Sequence, residues 1–170
     1  MADPGAGGGS VGGSIGQGPE TSPLGNWMES DHERLDALWE EARRSWPQDV
    51  ARARDRFRAF REGLLRHIEA EETLLFPFYE VHGTVSTHHL TDFLREEHAQ
   101  IRAALQKLAG AFEEGSQDVE GPETILRNVL WAHNTREEGL LYPWFDHSIT
   151  EGEGHELSER IRAMLSKPPS

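Results

Sequence analysis

A stretch of fourteen residues occurs twice in this chain. Residues 67–80 read His-Ile-Glu-Ala-Glu-Glu-Thr-Leu-Leu-Phe-Pro-Phe-Tyr-Glu, and residues 133–146 read His-Asn-Thr-Arg-Glu-Glu-Gly-Leu-Leu-Tyr-Pro-Trp-Phe-Asp. Both are His-x-x-x-Glu-Glu-x-Leu-Leu-aromatic-Pro, offset by 66 residues (133 − 67). Residues four apart share a face of an α-helix, so His67 with Glu71, and His133 with Glu137, each aim an imidazole and a carboxylate the same way. The same offset relates His98 to His32, with Asp31-His32-Glu33-Arg34-Leu35 aligned to Glu97-His98-Ala99-Gln100-Ile101. Two copies of one supersecondary unit, related by an approximate two-fold axis, follow from such a repeat.

The apolar spacing around these motifs is helical. Ser30 with Glu33 reads as a capping box opening a helix over about 31–45, with Leu35, Leu38, Trp39 and Ala42 on the side that carries His32. Pro47 marks its end. A second helix over about 48–76 carries Phe57, Phe60, Leu64, His67, Glu71, Leu74 and Leu75 on one stripe, and Pro77 ends or kinks it. After His82-Gly83, Ser86 or Thr87 caps a third helix over about 88–113, with His98 among its apolar positions. Gly115 to Gly121 is a loop, and Pro122 suits the first turn of a fourth helix that runs through His133 and Glu137 to Pro143. Beyond Gly152-Glu153-Gly154, Leu157, Ile161, Met164 and Leu165 mark a short fifth helix. No alternating strand pattern occurs. The expected fold is all-α: an up-down-up-down four-helix bundle over 30–147, a short C-terminal helix and tail over 148–170, and a flexible, disordered N-terminal tail over 1–29.

That tail holds nine of the 17 glycines, no Lys or Arg and no apolar run, so it is not expected to be a secretory signal. The chain has no run of about 18 apolar residues, so no membrane span is expected. Absence of cysteine removes disulfides, thiolate metal sites and cysteine nucleophiles, and with the lack of a leader points to the cytoplasm. A net charge of −13 argues against nucleic acid, whose recognition is dominated by phosphates.

Numbering alone brings the four histidines together. In an antiparallel helical hairpin, residues equidistant from the turn lie at one height. The midpoints of His32/His67, His67/His98 and His98/His133 are 49.5, 82.5 and 115.5, each on a break already marked by turn residues. Glu71 and Glu137 arrive at the same level. Buried carboxylates without partners cost several kcal/mol each, and a pair of cations removes that cost. The repeat divides the ligands, with His32 and His67 on one metal, His98 and His133 on the other, and Glu71 and Glu137 bridging. An oxide, hydroxide or water completes the bridge, and one coordination position stays open for a small molecule. The plain alternative is a bundle whose imidazoles and carboxylates satisfy each other, and the repeat with its matching midpoints weighs against it.

Other polar residues rank lower. Glu72 and Glu138 are repeated and are expected in an outer layer or at the surface, and Glu97 is a candidate hydrogen-bond partner of a ligand. His82, His88, His89, His147 and His155 are expected to be solvated. Phe76-Pro77-Phe78 and Tyr142-Pro143-Trp144 read as helix-end packing. Leu64, Leu130, Leu74, Leu75, Leu140 and Leu141 are expected to line the open positions with hydrocarbon, leaving no general acid nearby except Glu72, Glu138 or Glu97.

The set His32, His67-x-x-x-Glu71, His98, His133-x-x-x-Glu137 resembles the hemerythrin-like, HHE cation-binding family over about residues 30–147. The resemblance implies a four-helix bundle holding an oxo- or hydroxo-bridged pair of non-haem iron ions. Oxygen-carrying hemerythrins have a further histidine on the third helix and close with His-x-x-x-x-Asp. Here Leu94 and Arg102 flank His98 at that spacing and Glu137 closes the last motif, so the five-histidine carrier site is absent. A related group that repairs iron–sulfur clusters carries a cysteine-bearing N-terminal segment, which this chain lacks. Three functions compete: reversible binding of dioxygen, nitric oxide or peroxide for sensing, storage or oxidative-stress handling; catalase- or peroxidase-like turnover; or an interaction module locked by metal, with the tail or last helix meeting a protein partner. Imidazole and carboxylate donors also suit zinc.

Overall fold

The computed structural model describes residues 23–116 and 119–166. Most of the expected tail, residues 1–22, lies outside the described residues. Helix α1 is Pro23–Ser45. Helix α2 is composite, made of Val50–Ala70, a π turn at Glu71–Leu75, and Phe76–His82. Helix α3 is Val85–Glu114. Helix α4 repeats the plan of α2: Glu120–Arg136, a π turn at Glu137–Leu141, and Tyr142–Ser148. Helix α5 is Glu151–Leu165. No strand occurs among the described residues, and none of the helices there is long and apolar enough to cross a membrane.

The chain reverses at residues 46–49, at Gly83-Thr84 and after Gly115, where the three midpoints fall. Asp49 caps α2 by accepting from the Arg52 backbone N–H at 3.1 Å. Gly115 ends α3 with φ 69°, a left-handed conformation that a Cβ would strain. The helices form the bundle the apolar stripes demand, with α1 on α2, α2 on α3 and α3 on α4, while the end of α4 returns to α1. Helix α5 lies across α1 and α2, burying Leu157 and Ile161.

Five boundaries differ from the local signals. Helix α3 starts at Val85 after Thr84, so Ser86 and Thr87 lie inside it and do not cap it. Helix α4, like α2, runs past its proline, to Ser148. Helix α1 begins at Pro23, not near 31, so residues 23–29 belong to the helix and Ser30 and Glu33 lie inside it. Leu24 and Met28 are fully buried in the cluster that holds Tyr142, Phe145 and Leu157, and that burial outweighs a capping signal further along. Helix α2 continues past Pro77 to His82, because the π turn before it gives the pyrrolidine ring room. Gly152 and Gly154 fall within the first turn of α5, where Thr150 and Glu153 form a capping box.

The core is divided. One apolar cluster, including Leu35, Phe57, Phe60 and Leu105, fills the end near residues 46–49. Another, including Leu24, Leu75, Phe76 and Phe145, fills the end under α5. Along each helix the site residues fall between them: His32 between Met28 and Leu35, and His98 between Leu94 and Ile101.

Candidate metal centre

All six residues singled out by the repeat meet at this dividing level. His32, His67, Glu71, His98, His133 and Glu137 are buried, both glutamates completely. His32 Nε2 lies 3.1 Å from His67 Nε2, and His98 Nε2 lies 3.1 Å from His133 Nε2. Glu71 spans the two pairs, with Oε1 3.2 Å from His67 Nε2 and Oε2 3.2 Å from His98 Nε2. Glu137 does the same from the other side, with Oε1 3.1 Å from His133 Nε2 and Oε2 3.5 Å from His32 Nε2. Two groups that could each hold a cation result: His32, His67, Glu71, Glu137 and Glu71, His98, His133, Glu137.

The other ring nitrogen of each histidine faces a carboxylate. His67 Nδ1 lies 2.9 Å from Asp31, His133 Nδ1 3.3 Å from Glu97, His98 Nδ1 2.9 Å from Glu72 and His32 Nδ1 2.9 Å from Glu138. A carboxylate there accepts from Nδ1–H, which leaves the Nε2 lone pair pointing into the centre. Two bare Nε2 atoms 3.1 Å apart repel unless a proton or a cation lies between them. Arginines hold three of the outer carboxylates: Arg34 on Asp31, Arg102 on both oxygens of Glu72, and Arg136 on Glu97.

The electrostatics say the same. Burial pushes the His67 imidazole down, but Glu71, Asp31 and Glu137 outweigh it and hold it up at about 10. Burial likewise opposes charge on His133, and Glu137 and Glu97 raise it to about 10. Burial pushes Glu71 up, yet His67 and His98 hold it well below the ordinary carboxylate value. The centre therefore demands positive charge. Glu71 Oε2 and Glu137 Oε1 face the Nε2 atoms of His98 and His133, 3.2 and 3.1 Å away, and meet no other hydrogen-bonding group among the described residues. Buried carboxylate oxygens whose close polar neighbours are imidazole Nε2 atoms alone fit a cation.

Two participants have no place in the expected site. Asp31 is visible only through the repeat, as the counterpart of Glu97. Tyr142, expected in helix-end packing, is buried with its hydroxyl 3.2 Å from both Glu71 Oε1 and Glu137 Oε2, and 3.5 Å from His32 Nε2. A hydroxyl therefore stands in the site, where none was expected. An α-helical wheel sets residue five beyond Glu137 off its face, whereas the i→i+5 bond from Tyr142 N–H to Glu137 O stacks one over the other. The extra residue also turns Leu140 outward, 58% exposed, while Leu141 and Leu75 are fully buried. The lining of the centre is thus less apolar than expected. His82, His88, His89, His147 and His155 are exposed, as expected.

A family model described as the hemerythrin HHE cation binding domain matches residues 25–145, well over half the chain. Comparison with curated proteins and with solved structures gave no match.

Proposed function

Because the chain belongs to the hemerythrin HHE cation-binding domain family, we propose that its centre holds two iron ions and binds dioxygen or a related small molecule, nitric oxide or peroxide, for sensing, storage or oxidative-stress handling. His32 and His67 would hold one ion, His98 and His133 the other, with Glu71 and Glu137 shared. The observation that carries this reading is the division of each glutamate, one oxygen to each histidine pair. A reduced iron pair supplies electrons and an exchangeable coordination position. The chain's own residues orient the donors, keep water out with two apolar clusters, and balance charge through Asp31, Glu72, Glu97 and Glu138.

Binding is favoured over turnover because each outer carboxylate is already tied to an Nδ1 atom. The hydroxyl in the site, that of Tyr142, is held between Glu71 and Glu137, so none of these groups is free to pass a proton to a bound molecule. Peroxide breakdown is expected to be slow. Elemental analysis of chain reconstituted with ferrous iron should give about two irons, a count that follows from the two cation groups, and anaerobically reduced protein should change its optical spectrum on admission of dioxygen or nitric oxide. One metal or none, or zinc uptake without iron, would sink the proposal. Rapid oxygen evolution from peroxide, lost in Glu72→Gln or Glu138→Gln at equal iron content, would make the chain an enzyme first.

A further inference from the structure

The repeat is broken at one place in the centre. Five residues beyond the shared glutamates stand Phe76 in one half and Tyr142 in the other. Both follow a π turn and both are buried. The Phe76 ring stacks on His98, with centroids 5.5 Å apart and planes 9° from parallel. Tyr142 instead sends its hydroxyl among Glu71 Oε1, Glu137 Oε2 and His32 Nε2. Those two carboxylate oxygens are the ones facing His32 and His67. The opposite pair, Glu71 Oε2 and Glu137 Oε1, meets no hydroxyl among the described residues, only the Nε2 atoms of His98 and His133.

One O–H cannot donate to two carboxylate oxygens at once, although Tyr142 Oη lies 3.2 Å from each. Its remaining close contacts set lone pair against lone pair, as the two Nε2 atoms do. A single cation relieves all of them. Nitrogen and oxygen donors about 2.0–2.2 Å from an ion lie roughly 3 Å from their neighbours around it. Among His32 Nε2, His67 Nε2, Glu71 Oε1, Glu137 Oε2 and Tyr142 Oη, the close separations run from 3.1 to 3.5 Å.

We propose that Tyr142 Oη is a fifth protein ligand of the cation held by His32, His67, Glu71 and Glu137, and that the exchangeable position therefore belongs to the His98–His133 cation beside Phe76. This rests on the two-metal reading above. When the cation binds, the phenolic proton passes to solvent and an oxygen lone pair forms the new bond, with no change of oxidation state. The two halves of the centre are then unequal despite the repeat.

The test uses the full chain loaded with ferrous iron and oxidised in air, with iron counted beside the visible and resonance Raman spectra. A phenolate bound to ferric iron gives a visible charge-transfer band and enhanced phenolate ring vibrations. The parent should show both, Tyr142→Phe should lose both, and Tyr79→Phe, which removes the other of the two tyrosines, should keep them. A band that survives in Tyr142→Phe, or is absent from an iron-loaded parent, overturns the assignment while leaving the two-metal reading intact. A parent holding fewer than two irons sinks that reading, and the phenolate signals still decide Tyr142 in whatever iron is bound. Should Tyr142→Phe fail to fold, the parent's phenolate vibrations, compared with those of Tyr79→Phe, decide the assignment: present in both they support it, absent from the parent they overturn it.

Discussion

A neutral imidazole has one N–H and one lone pair, and at His32, His67, His98 and His133 a carboxylate has taken the N–H side. Each outer carboxylate sits next in sequence to a residue of the centre yet serves a histidine on another helix. Asp31 precedes His32 but holds His67, and Glu72 follows Glu71 but holds His98. Truncating this layer should loosen metal without removing a donor. Glu72→Gln, and Arg102→Ala behind it, are expected to weaken metal affinity by about 10- to 100-fold, measured by chelator competition. Unchanged affinity in both would show that the Nδ1 contacts do not orient the rings. The six central residues were legible because a repeat, an i,i+4 spacing and turn midpoints all converge on them. Asp31 was not, because an aspartate before a helix-borne histidine looks like any solvated acid until the fold places His67 beside it. Tyr142 was not, because the α-helical period puts it off the site.

At the level of elements, helix type and reach were plain in the apolar spacing, while ends and irregularities were not. A π turn follows each shared glutamate, with Phe76 N–H and Tyr142 N–H reaching back to Glu71 O and Glu137 O. Its only trace in the sequence is a proline six residues past each glutamate, which reads equally well as a stop. The start of α1 was hidden for another reason: glycine-rich composition masked Leu24 and Met28, whose worth depends on the distant Tyr142 and Phe145. Leu24→Ala and Met28→Ala are each expected to destabilise the protein by about 2–5 kcal/mol, as for other fully buried aliphatic side chains. Chemical denaturation of the metal-free and metal-loaded forms measures this. Losses below about 0.5 kcal/mol in both would return residues 23–29 to the tail.

Across the whole molecule, the centre sits between two apolar clusters, so its charge balance bears on folding as well as on chemistry. Glu71→Ala or Glu137→Ala should therefore lower metal content and melting temperature together. Without metal, protons must supply the positive charge, and the sign of their effect can be stated. His67 and His133 are raised to about 10 from an ordinary 6.5, so their contribution is complete below 6.5 and disappears as pH climbs through about 10. Glu71 is held well below an ordinary 4.5, so its contribution is present above 4.5 and is lost in acid. The metal-free bundle should accordingly be most stable between those two ordinary values and weaken steadily into alkali. Metal reverses the alkaline trend, because each cation takes the place of protons on His67 or His133. Apparent affinity should keep rising with pH beyond 6.5 and level off only near 10, and the metal-loaded protein should melt at progressively higher temperature relative to the metal-free one over that interval. Paired thermal melts across the interval, with zinc as a redox-silent probe, measure both quantities. An affinity flat above pH 6.5 would mean that the imidazoles are already neutral in the metal-free centre, and that the carboxylates around them do not hold protons there.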